Sequence, residues 1–235
     1  MTLEETRQLG IEFERRIQTM IPETELYRKL DTETIYSFLN QYQDKYIHDI
    51  YNNLDNMPSG SKVSARFERV LQEMLKSVDL VDCTEDNKYR SKTFTLPKDF
   101  YLYLNSTSTV EKSYRFKQEE NTGGVVPNQL ISRIDLHKLI ETPYDSMRIL
   151  RKPVAVLEQY SEGLPRITVI YDRYTEATGI TVTYYKEPAH FTILDSTACE
   201  LPMDAFDDLV SGAVELYVQY VAGAESKRRQ QQEAA

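Results

Sequence analysis

The side chains of this 235-residue chain that could support metal binding or bond breaking are three histidines, two cysteines and many carboxylates. A zinc site needs imidazole or thiolate ligands at short, fixed spacing, as in a helical His-Glu-x-x-His pair. His48, His137 and His190 show no such spacing, and His48 falls on the polar side of a predicted helix, where a solvated imidazole accounts for it. Cys83 and Cys199 lie far apart in the chain. Gly123 and Gly124 form the one glycine pair, yet no Lys-Ser/Thr follows to build a phosphate loop, so they predict a flexible connection. A Gly-x-Ser-x-Gly nucleophile elbow is absent. Asp207 and Asp208 are adjacent acids, but they fall in the first turn of a predicted helix, where the helix dipole favours negative charge. The sequence nominates no catalytic residue, no cofactor-binding residue and no metal ligand.

Interaction chemistry is better represented. The chain carries 17 tyrosines and no tryptophan, and tyrosine serves both amphipathic packing and protein interfaces. Tyr184 and Tyr185 are neighbours in a predicted strand, where successive side chains point to opposite faces. The two are therefore not expected to share the core, and both are candidates for contact with a partner. Lys227, Arg228 and Arg229 form a basic cluster after the last predicted helix. They suit either the negative end of a helix dipole or an acidic partner surface, and they complete the set of candidate contact residues.

Composition narrows the partners. With 40% apolar and 28% charged residues the chain should fold, and 27.4 kDa corresponds to roughly 11,000 Å² of compact surface. A formal charge of −9 without a basic stripe disfavours tight nucleic-acid binding, which relies on neutralising phosphates. Two widely separated cysteines predict reduced thiols. The N-terminus lacks the basic and apolar regions of a signal peptide, and no apolar run approaches the length of a membrane span, so synthesis in a reducing cytoplasm is expected.

Periodicity then assigns the elements. Thr2 and Glu5 read as a capping box, followed by Leu9, Phe13, Ile17 and Met20 at helical spacing. A second helix runs from Asp31 or Thr32 to about Leu54 on Ile35, Phe38, Leu39, Tyr42, Tyr46, Ile47 and Ile50. Val63, Phe67, Val70, Leu71, Met74 and Val78 predict a third. Residues 83–92 read as a polar link and 121–128 as a loop. Strands are predicted at Thr93–Leu96, Tyr101–Thr109, Arg148–Leu150, Ala155–Gln159, Arg166–Tyr171 and Ile180–Lys186. Residues 161–166 and 176–179 read as hairpin connections, and Asp135–Ile140 as a short helical turn before Pro143. A final helix starts near Asp204 as its cap and carries Phe206, Leu209, Val210, Ala213, Val214, Tyr217, Tyr220 and Val221, with Ser211 and Gly212 small enough for another helix to approach closely. Phe94–Phe100 and Cys199–Phe206 share Leu-Pro-x-Asp, which two independent strand-to-turn exits explain.

The fold class expected is α+β, with a helical bundle of N-terminal and C-terminal helices and an inserted antiparallel β-rich domain, sandwich or barrel-like. The regions are 1–82 helical, 83–200 β-rich, 201–223 the C-terminal helix packing on the N-terminal ones, and 224–235 a tail that is mobile or ordered by a partner.

The segments Leu9–Gln18, Lys29–Ile47, Phe94–Val110, Ile180–Pro188 and Cys199–Val221, in this order, resemble head-to-tail connector proteins of short-tailed phages, closest to the ring proteins of crAss-like phages. The resemblance spans about Leu3 to Gly223 and rests on patterns rather than a fingerprint. It implies a homo-oligomer of twelve copies in the virion, below the portal vertex. Such a ring is assembled in the host cytoplasm and contacts the portal protein and other ring or tail hub proteins. It implies that genomic DNA passes through the lumen without sequence-specific binding, and that membrane, cofactor and catalysis play no part. In that family a C-terminal extension grips the portal, which maps onto residues 222–235; the shortness of this tail leaves a neighbouring ring protein as the other candidate. Another tail or head-completion protein is the nearest alternative, and an unrecognised hydrolase the one outside that class.

Overall fold

The structure, a computed structural model, describes residues 1–20, 30–54, 62–86, 90–112, 124–136, 153–158, 163–171, 175–192 and 196–233. The predicted strand Arg148–Leu150 and His137 lie outside that set. The class is α+β, and the chain forms two compact units, one of Met1–Met74 with Pro188–Ala235 and one of Leu75–Glu187.

The first unit is helical. Helix α1 (Leu3–Met20) opens on the expected capping box: Thr2 N donates to Glu5 Oε2 at 2.7 Å and Glu5 N to Thr2 Oγ1 at 3.3 Å. Helix α2 (Thr32–Leu54) is capped by Asp31, whose Oδ1 accepts from Thr34 N at 2.8 Å. Helix α3 (Lys62–Gln72) is short, and α4 (Phe206–Glu233) closes the unit by packing on α1 and α2. Leu9, Phe13 and Ile17 of α1, Ile35, Leu39, Ile47 and Ile50 of α2, Leu71, and Leu209, Val210, Ala213 and Val214 of α4 are buried. Each fully buried large side chain contributes about 1.5–3 kcal/mol, which is why four amphipathic helices cohere without a disulfide. The predicted stripes are trimmed at their ends, since Met20 is 61% and Tyr220 65% exposed.

Two corrections concern helix limits. Val78 belongs to a strand, because α3 stops at Gln72 and the sheet recruits the chain from Leu75. At the other end α4 continues to Glu233, although residues beyond Val221 carry no apolar periodicity. Ala, Glu, Lys, Arg and Gln all favour helix intrinsically, and no proline interrupts them.

The second unit contains strands β1 (Leu75–Leu80), β2 (Cys83–Asp86), β3 (Ser91–Thr95), β4 (Phe100–Lys112), β5 (Gly124–Pro127), β6 (Gln129–Leu130), β7 (Val154–Glu158), β8 (Arg166–Ile170) and β9 (Thr175–Lys186). They form a four-stranded sheet in the order β1-β9-β4-β5 and a five-stranded sheet in the order β2-β3-β8-β7-β6. Every pairing is antiparallel except β6 with β7. Phe94, Leu96, Ala155, Ile167 and Val169 of one sheet's strands and exits meet Tyr103, Ala177, Ile180, Val182 and Tyr184 of the other in a single core. The arrangement is an open two-sheet sandwich, and the barrel alternative falls away.

The chain changes sheets at both margins, from β1 to β2 through Val81 and Asp82 and from β5 to β6 through Asn128. Asn128 holds its corner by donating from Nδ2 to Ser106 Oγ and from its backbone N to Ser106 O, each at 2.9 Å, and by accepting from Ser108 Oγ at 2.7 Å. Residues expected as a polar link and a loop are thus edge strands, β2 and β5. Arg90, at φ 49°, turns the chain back into β3. Residues 176–179, expected as a hairpin connection, lie inside β9. Gly179 pairs with Thr109 where the register slips by one residue, so the glycine marks a β-bulge.

The two Leu-Pro segments adopt the same local turn. Phe100 N donates to Pro97 O at 3.2 Å, and Ala205 N to Pro202 O at 3.1 Å, with Leu96 and Leu201 both buried. One turn feeds a strand and the other a helix.

Candidate functional site

The densest set of charged side chains surrounds the start of α4. A 3-10 turn, Met203–Ala205, leads into it with Pro202 at the N-cap, so Asp204, expected as the cap, lies within that turn. Asp204 Oδ2 instead accepts from Arg69 at 3.4 Å, and its carbonyl from Arg66 at 3.0 Å. Arg16 of α1 donates to Asp207 Oδ1 at 2.8 Å and to Ser211 Oγ at 2.6 Å. Asp208 Oδ2 accepts from Arg66 Nη2 and from the Tyr46 hydroxyl of α2, both at 2.9 Å. Three acids of one short segment are therefore engaged by α1, α2 and α3 at once. Nothing local in the sequence points to these arginines as partners of the acids, although Arg66 and Arg69 sit at i, i+3 on one face of α3.

The same unit holds a buried polar network around Cys199. Its backbone N donates to Thr6 Oγ1 at 3.0 Å, its thiol to Gln43 Oε1 at 3.4 Å, and Gln43 Nε2 to Ala189 O at 3.4 Å. Burial pushes the thiol up to about 11, so it stays protonated and unreactive at neutral pH. Asn40 clasps Phe191 with two bonds, its Oδ1 accepting from the backbone N at 3.1 Å and its Nδ2 donating to the carbonyl at 2.9 Å. The His190 ring lies 3.2 Å from Asp44.

The second unit has its own charged centres. Lys92 is only 5% exposed, with Nζ 2.9 Å from Glu85 and 3.1 Å from Glu176. Burial works against its charge, but the two carboxylates outweigh that and raise its pKa. Asp99 bonds Lys76 and accepts from the Tyr184 hydroxyl at 2.9 Å; the Lys76 bond leads in holding its carboxyl below the usual range.

The candidate contact residues divide. Tyr184 is 2% and Tyr185 6% exposed, so the expectation that they cannot both be core is corrected. Tyr184 belongs to the sandwich core, and both residues lie in β9, between β1 and β4. Tyr184 packs against Phe100, with ring centroids 5.3 Å apart. Lys227, Arg228 and Arg229 fall within the last turns of α4, and their side chains lie outside the described residues.

Among the described residues no group of histidines, cysteines and acids is arranged to hold a metal ion, and no helix is long and apolar enough to cross a membrane. Hydrogen bonds hold the carboxyls of Glu5, Asp31 and Asp99 below their ordinary range, burial raises Tyr36, Tyr46, Tyr184 and Cys199, and carboxylate partners that outweigh burial raise Lys92 and Arg16. These contacts tie α1, α2 and α3 to α4 in the first unit, and β2, β3 and β9 to one another in the second. No protein-family model matches the chain, and no curated protein matches it.

Proposed function

We propose that this chain is a structural virion subunit, one of twelve copies of a head-to-tail connector ring below the portal, which extends the DNA channel and gives tail components a docking platform. The observation that supports this most directly concerns Asp204, Asp207 and Asp208. These carboxylates stand in the segment that carries part of the resemblance to connector proteins, and all three are engaged in seating α4. A protein that works by shape uses its charged residues in this way.

A ring requires each subunit to present two different surfaces to its neighbours. An overall charge of −9 per copy lets DNA slide through a lumen rather than adhere to it. Native mass measurement of the chain, alone and with its portal, tests the reading. A ring of about twelve copies, formed alone or on the portal, is expected from this reading of the sequence. A chain that stays monomeric and ignores the portal overturns it.

A further inference from the structure

We draw no further inference here: the strongest candidate, the small open groove between α1 and α2 lined by Arg7, Gly10, Ile11, Glu14, Ile35 and Tyr36, is an unpartnered face with nothing in the structure to show what covers it.

Discussion

The ring of Tyr42 in α2 lies directly over Gly212 in α4, so closely that a methyl group added at Gly212 would overlap it. The glycine is there for proximity. It lets the two longest helices of the first unit approach, and the ring fills the space that a side chain would have taken.

Gly212→Ala should therefore cost about 1–3 kcal/mol, the usual range for overpacking, despite alanine's better helix propensity. Gly223→Ala, in the same helix with open space around it, should stabilise by about 0.5–1 kcal/mol. Urea denaturation of both variants checks the pair. Equal and small effects would mean that the Tyr42 contact does not constrain α4.

Asp208 and Asp207 should differ in weight. Asp208 serves the buried Tyr46 hydroxyl as well as Arg66, whereas the Asp207 side chain is largely solvent-exposed. Asp208→Ala should lower stability by about 1 kcal/mol or more, because a buried phenol loses its acceptor. Asp207→Ala should stay within the few tenths typical of surface pairs. A double-mutant cycle of Asp208→Ala with Tyr46→Phe should return a coupling energy, and additivity would refute the link.

Thiol labelling should separate the cysteines. Cys199 is buried with its pKa pushed up to about 11, and Cys83 is partly exposed. In the native protein at pH 8 an alkylating reagent should modify Cys83 first, with Cys199 reacting only after denaturant is added. Mass spectrometry of the digested protein reads the order. Equal rates would show that the Thr6–Gln43–Cys199 network opens readily.

Stability should fall at both pH extremes for identifiable reasons. Asp99 is held below the ordinary carboxylate range chiefly by its bond to Lys76, so the folded state takes up its proton later than the unfolded chain as pH falls. That contribution is complete above about pH 4 and is lost on acidification through the folded pKa. Asp99→Asn should flatten this part of the profile. On the alkaline side, burial pushes Tyr36 and Tyr184 up to about 12, with the Asp99 bond adding to the effect at Tyr184. Their contribution is complete below about pH 10, where free tyrosine ionises, and disappears as pH rises toward 12. Tyrosinate absorbance followed together with circular dichroism should show a fraction of the tyrosines ionising only as the helices and sheets melt. A single titration near pH 10 with the helices intact would contradict it.

Helices were legible because their information is local. Thr2 with Glu5, the α2 stripe and the small residues at Ser211 and Gly212 announce a cap, a face and a close approach without reference to the rest of the chain. Edge strands were not. β2 and β5 are short, polar or glycine-bearing, and they exist because Phe94 and Thr109 present partners that the sequence does not reveal. Gly179 illustrates the same limit, since a turn and a bulge ask for the same residue. The charged cluster at α4 was half visible. Its acids stood out, but the arginines that engage them lie more than a hundred residues away along the chain. Tyr184 and Tyr185 show burial misjudged, because alternation assigns side chains to faces and does not say whether each face is covered.

The switch of the chain between sheets at Val81–Asp82 and again at Asn128 has a mechanical meaning. Covalent backbone stitches the sandwich along both lateral seams, so the two layers cannot slip past or peel from one another while the corners hold. Tension applied across such a body is carried by peptide bonds and the Asn128 clasp before it reaches the greasy filling between the layers.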